Sequence, residues 1–277
     1  MEIRAVREIE EYRACEVLQR RAWLMSDDLE VVPMHLLVGV HKGGGLLLGA
    51  FDGDELAGFV FGFPGLTQEG KLKHCSHMMG VLPERQSAGI GWQLKLAQRE
   101  AVHARGLDLV TWTYDPLESQ NAYLNISKLG AVCRTYVRDL YGPLEDGLNA
   151  GLPTDRFQVD WWIRTEWVAR RLEGQSDSKR GWQASQANVT GRTASGLLTP
   201  GALHVDLDLP AIQVEVPGDY RALKTADSGL AQEWRLASRA LFEAYFAAGY
   251  AVTDYRSHRT AGERRNYYLL ERPAPVP

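Results

Sequence analysis

The segment from His77 to Gly106, HMMGVLPERQSAGIGWQLKLAQREAVHARG, constrains this chain more than any other. It reads as the end of a strand (Met78 to Leu82), a tight turn, and an amphipathic helix whose first turn carries two glycines. Ile90, Leu94, Ala97 and Ala101 recur at helical spacing and predict the buried stripe, which leaves Lys95, Gln98, Arg99 and His103 facing water. The first turn of a helix leaves backbone N–H groups unpaired, and the aligned peptide dipoles add partial positive charge there. Gln86, Ser87, Ala88, Gly89, Ile90 and Gly91 lie where those donors emerge. Gly89 and Gly91 lack the Cβ that would hold a phosphate at a distance. The expectation is an anion cradle between a strand and a helix.

Two widespread phosphate motifs do not fit. The dinucleotide fingerprint needs a third glycine, and the phosphate loop needs Lys-Ser/Thr where this chain has Trp92-Gln93. The segment instead resembles the Q/R-x-x-G-x-G/A stretch of the GNAT superfamily of acyl-CoA-dependent N-acyltransferases. Val81-Leu82-Pro83 is similar to that family's passage from strand to loop. The resemblance implies an α/β (α+β) fold, a GNAT-type mixed central sheet flanked by helices, over residues 1–165. It also implies acetyl-CoA or another acyl-CoA as co-substrate, a small-molecule amine as acceptor, direct transfer, and no metal. Many members of the family dimerise, so it admits a homodimer.

Composition narrows the class. With 277 residues, 45% hydrophobic and 24% charged, the chain can bury a sizeable core. A net charge of −4 argues against broad nucleic-acid binding. Cys15, Cys75 and Cys133 are odd in number and widely spaced, giving neither a disulfide framework nor zinc-ligand spacing. No apolar run suggests a signal peptide or a membrane span, so the expected location is the cytoplasm, without a membrane partner. Asn188-Val189-Thr190 matches a glycosylation acceptor that has no meaning there.

In chain order the patterning predicts a strand over 1–6, a helix over 8–22, and a loop with a helical turn around Pro33. Strands over 46–51 and 56–63 join at Asp52-Gly53-Asp54, whose Asp-Gly pair suits a hairpin turn. A strand over 71–82 leads into the glycine-opened helix, and alternation there sets Cys75, His77 and Met79 against His74, Ser76 and Met78. A strand over 109–114, a helix over 121–129 stopped by Gly130, and strands over 131–141 and 156–163 follow. A helix over 166–172 and a polar, linker-like stretch over 173–196 close this part, so residues 166–200 read as helix and linker. Residues 201–277 form a smaller C-terminal α/β block, with strands over 203–209 and 212–216, helical segments over 222–226 and 230–248, and a hairpin over 252–258 and 266–271. Its helix ends Tyr245-x-x-x-Gly249-Tyr250 before two strands, an echo of Asn121 to Gly130. The block therefore reads as a degenerate GNAT half-repeat without a glycine cradle, or as an unrelated helix that ends in the common Gly-before-strand manner.

Acyl transfer needs an oxyanion donor, a base for the amine and a fate for the thiolate. By the resemblance, Met79, Gly80 and Val81 hold the pantetheine arm, Val81 N–H is the oxyanion donor, and Gln86 to Gly91 take the pyrophosphate. His77 resembles a histidine base of some members; read by itself it is sooner a core histidine bonded to the backbone than a base. Cys75 falls where others carry a second acid or base, or is a small buried hydrophobe. Glu84 and Asp115 are further acidic candidates. The family's general-acid tyrosine, four residues before the helix-ending glycine, is replaced by Ile126, so Tyr123 or Tyr114 substitutes, or the chain is a CoA-binding regulator without catalysis. Asn121 matches an asparagine that touches the CoA arm and is also an N-cap candidate. His204, Asp206 and Asp208 alternate and read as a solvated face sooner than a metal site. Arg20-Arg21, Arg170-Arg171 and Arg264-Arg265 read as surface charge, one pair of which can meet the 3′-phosphate of CoA.

Overall fold

A computed structural model describes residues 1–25, 27–86, 88–142, 151–175, 183–260, 263–274 and 276. Contacts divide the chain into two compact units, Met1–Trp112 with Leu144–Gly151, and Thr113–Pro143 with Leu152–Pro277.

The first unit opens with strand β1 (Glu2–Ala5) and helix α1 (Ile9–Trp23), whose start is closed by a reciprocal Glu8–Glu11 capping box. Helix α2 (Met34–Lys42) begins directly after Pro33, which is its N-cap and not an interruption. The expected loop is therefore a helix. Strands β2 (Leu46–Asp52) and β3 (Glu55–Leu66) form the hairpin, with Gly53 at φ +63°. Strand β4 (Leu72–Val81), helix α3 (Ile90–Ala104) and strand β5 (Leu109–Tyr114) follow. The sheet order is β1-β2-β3-β4-β5, antiparallel until the parallel β4–β5 pair. Tyr12, Cys15 and Leu18 of α1 and Leu37 of α2 pack on Leu47, Phe59 and Phe61. Gly58, on the opposite face by alternation, admits Ile90 and Leu94 of α3, which lie 3.1 and 3.3 Å from where its Cβ would stand. Helices thus cover both faces of this sheet.

The second unit contains α4 (Ser119–Ala122), which runs into a π-helical turn over Tyr123–Lys128, then β6 (Val132–Val137), β7 (Arg156–Trp162) and α5 (Glu166–Leu172). Next come β8 (Ser185–Gln186), β9 (Asn188–Arg192), β10 (Leu198–Leu203) and β11 (Ala211–Val216). Helices α6 (Tyr220–Ala226) and α7 (Ser228–Ala247) and the hairpin β12 (Ala251–Thr260) and β13 (Glu263–Glu271) complete it. The sheet order is β7-β6-β12-β13-β11-β8, with the end of β5 beside β7 and a separate β9–β10 pair. Its core is aromatic: Phe157 touches Phe242, Phe246 and Tyr268 at centroid distances of 4.7, 5.7 and 5.5 Å.

Several expectations needed tertiary partners to resolve. The strand predicted over 131–141 stops at Val137, because Asp139 adopts φ +44° and is clamped by Thr154 N (2.9 Å) and Asp155 Oδ1 (3.0 Å). The helix expected over 121–129 begins at Ser119, so Asn121 is not its N-cap. The linker-like stretch holds β8 and β9, since the Asn188 amide donates to Glu215 O and accepts from Glu215 N, both at 2.9 Å. The strand expected over 203–209 lies earlier, at β10, and residues 204–208 are not in a strand.

The hairpins of this unit share one pattern. The preceding helical segments both close on left-handed glycines, Gly130 (φ +72°) and Gly249 (φ +85°). A bulge then falls four residues after each glycine, at Arg134 in β6 and Thr253 in β12. The one described pair between β6 and β12 joins Cys133 to Val252, which are themselves three residues past those glycines. Equivalent residues facing each other is what a local two-fold axis requires.

Candidate functional site

The β4–α3 passage is shaped by a bulge. Phe61 pairs with Met78 and Gly62 with Ser76, so His77 is an extra residue opposite no partner on β3. The bulge reverses the alternation expected from sequence. Cys75 and Met78 now share the face of Phe63 and Phe61, while Met79 moves to the face of Val60. His77 is exposed, with its ring 5.8 and 6.2 Å from Phe63 and Phe61, and desolvation by these neighbours lowers its pKa. Cys75 is half-buried, and Gly65 leaves room for its sulfur.

Past the bulge, β4 turns backbone groups toward its free edge. Leu82 N donates to Ala57 O at 3.0 Å, making 57/82 a bonded pair and, by alternation, 58/81 and 60/79 non-bonded pairs. The amides of Val81 and Met79 therefore point away from β3, whereas those of Gly80 face Phe59. The described β4–β5 register consists of His74↔Val110 and Cys75↔Thr111, so from Ser76 onward the strands have parted. Gly80 sits against Leu18 and Trp23, 3.0 Å from where a Cβ would stand.

Helix α3 starts at a bare N-cap. Gly89 holds φ +78°, makes no side-chain cap bond, and has nothing within 4 Å of its would-be Cβ. The first turn carries no acidic residue, and Gln93 N→Gly89 O (3.1 Å) is the helix's opening bond. The donors ahead of it face outward with the dipole behind them. Ile90 anchors the turn at 1% exposure, Gly91 is half-buried, and Ala88 is exposed. Gln86 is exposed and its amide donates to Val81 O at 3.4 Å. Ser87 lies outside the described residues.

The other candidates are elsewhere. Glu84 pairs with Arg21 at 2.6 Å. Asn121 and Tyr123 are exposed in the second unit. Tyr114 is buried there with its hydroxyl 3.3 Å from that of Tyr268. Asp115 is gripped by Arg235 through bonds of 2.8 and 2.5 Å. Ile126 is fully buried, and Tyr245, at the equivalent place before Gly249, donates to His204 O at 2.5 Å. Asp208 is paired with Arg272, and no metal-ligand cluster occurs among the described residues.

Sequence reasoning missed a polar cluster beneath β4. Lys95 and Gln98, expected in water, are 2% and 0% exposed, because the buried stripe of α3 runs Ile90, Leu94, Lys95, Gln98, Val102. Lys95 Nζ donates to Ser76 Oγ (2.8 Å) and Gln98 Oε1 (3.1 Å), and lies 3.8 Å from the Trp112 ring centroid. Gln98, its oxygen thus engaged, turns Nε2 to His74 Nε2 at 3.2 Å. That assigns the imidazole proton to Nδ1, which is buried without a partner. Burial lowers Lys95 to about 7 and His74 to about 4. The signal was present: His74 and Ser76 are polar residues two apart on the face of β4 that alternation sets against α3.

The order of elements from β1 to β7, with helices on both faces of the first sheet and a glycine-opened helix between the two parallel strands, is the one the sequence resemblance implied. No protein-family model and no curated protein matches the chain. Similar solved structures include an N-acetyltransferase from Staphylococcus aureus Mu50 (TM-score 0.48, 12% identity, 59% of this chain and 98% of that one). Naa20 from Chaetomium thermophilum, in complex with a bisubstrate analogue, has TM-score 0.47 and 15% identity over 64% of this chain and 90% of its own. The ribosomal-protein-S18-alanine N-acetyltransferase from Escherichia coli has TM-score 0.46 and 15% identity over 59% and 94%. None of the described helices is long and apolar enough to cross a membrane.

Proposed function

We propose that the chain is an acyl-CoA-dependent N-acyltransferase that transfers an acyl group, with acetyl-CoA as the donor of choice, directly to a small amine. One observation carries the reading: a bare, glycine-opened helix start follows a strand whose Val81 and Met79 amides face an open edge. The α3 turn would take the diphosphate, with Gln86, Ala88, Gly89, Ile90 and Gly91 presenting main chain to it. Met79 and Val81 would bond the pantetheine arm as an added strand, Val81 N–H being available to a developing oxyanion. His77, neutral because desolvation lowers its pKa, would accept the amine proton from the face it shares with Phe61 and Phe63.

The buried Ile126 favours a second reading, a CoA-binding regulator, since no hydroxyl stands at the family's acid position. We further infer that residues 200–277 are a half-repeat of residues 109–162. The shared glycine, bulge and strand order of β7-β6 and β13-β12 support this.

Calorimetry with acetyl-CoA tests the cradle. Gly89→Glu should abolish binding by placing a carboxylate at the helix start, while costing only about 1 kcal/mol of stability for the left-handed backbone. Undiminished affinity in that variant would exclude the cradle. Binding without thiol release on any amine of a broad panel would favour the regulator.

A further inference from the structure

The parted strands and the buried cluster meet at one place. Cys75↔Thr111 is the last described β4–β5 pair, and the next residue on each strand, Ser76 and Trp112, is the one that holds Lys95. Lys95 therefore lies below the point where the strands separate. From Leu82 back to Ser76 along the open edge is roughly 20 Å at the usual strand rise, the length scale of an extended pantetheine arm.

We propose that Lys95, acting through the Ser76 hydroxyl, supplies the proton that the departing CoA thiolate needs. The assignment rests on the acyl-CoA reading above and deepens it, since Ile126 stands where the family's acid would be. The Ser76 Oγ–H bond breaks as the sulfur takes that proton. In the same motion one Lys95 N–H bond breaks and the hydroxyl is restored. The lysine is left neutral and recharges from water; the proton lost by the amine goes separately to His77. No further reactant is required.

The surroundings suit the role. Three acceptors receive the ammonium's three donors: Ser76 Oγ, Gln98 Oε1 and the Trp112 ring. No carboxylate touches Lys95 among the described residues, and the other titratable group of the cluster, His74, stays neutral well below physiological pH. With no anion to hold the charge, the ammonium gives up a proton far more readily than an exposed lysine does. Buried lysines without counterions cost stability, and such costs concentrate at sites of function. Lys95 is a positioning residue that acts through Ser76.

The test titrates the thiol of CoA bound to the protein, followed by thiolate ultraviolet absorbance, so no acceptor need be known. On Lys95→Arg, whose guanidinium stays charged where a thiol titrates, the bound thiol should titrate about one pH unit below its value on Lys95→Met, as a cation this close favours the thiolate. CoA affinity, read by calorimetry, should be equal within about threefold, because residue 95 lies outside the cradle. The wild type, whose lysine has lost its proton by that pH, should match Lys95→Met and serves as the comparison if Lys95→Met does not fold. Equal thiol titrations on Lys95→Arg and Lys95→Met, at matched CoA affinity, would overturn the relay and leave the acyl-CoA reading intact. If the wild type binds no CoA, both fall.

Discussion

Lys95 shows how far one residue's burial can shift what a sequence suggests. At position six of α3 it looked like part of a charged outer face, yet it is the most deeply placed cation of its unit. Its folded pKa, about 7, lies below the ordinary lysine value of 10.5, so between these limits the unfolded chain binds more protons. Stability from this group is therefore complete above about pH 10.5 and is lost as the pH falls toward 7, at up to about 1.4 kcal/mol per pH unit. Urea melts at pH 7, 8 and 9 should show the wild type gaining stability relative to Lys95→Met as the pH rises. Parallel curves would mean that the lysine is not desolvated. Arg171 and Arg265 are similar surprises. Both were expected at the surface, but Arg171 is buried against Asp254 at 2.9 Å and Arg265 neutralises the fully buried Glu215.

At the scale of the element, β4 decides what the site presents. The strand itself and the helix after it were legible, because apolar runs, Pro83 and two glycines are local signals. The bulge was not, since one extra residue leaves no trace in composition and is defined by the register against β3. Gly62 is the residue that accommodates it: a Cβ there would stand 2.4 Å from His74 Nε2 and 2.5 Å from Cys75 O. Gly62→Ala should therefore cost about 2–3 kcal/mol by chemical denaturation, since backbone cannot move aside as a flexible side chain can. A change within 0.5 kcal/mol would show that the strand pair at the bulge is looser than its register indicates. Helix α2 makes the complementary point. Pro33 looked like a breaker and instead begins the helix, because its missing N–H belongs to a position that has no intrahelical partner anyway.

For the whole molecule the consequential contact is between β6 and β12. Phe157, of the segment expected to close an independent domain at residue 165, packs on Phe242, Phe246 and Tyr268 of the C-terminal block. A chain ending at residue 165 would uncover that aromatic cluster and leave the Cys133 edge of β6 unpaired. Such a fragment should give no cooperative thermal transition and should self-associate on size exclusion. A monodisperse fragment with a sharp melt would show that the C-terminal block is dispensable for the first fold.

By itself the sequence determined the repertoire of elements and the glycine-opened start of α3. Periodicity, caps and turn residues act over a few positions and are written into the chain locally. The tertiary structure decided the face on which His77 emerges, the burial of Lys95 beneath Ser76 and Trp112, and the meeting of Cys133 with Val252. Each depends on which distant residue completes a register or excludes water, a choice made by the packing of the whole unit and invisible in any short stretch of sequence.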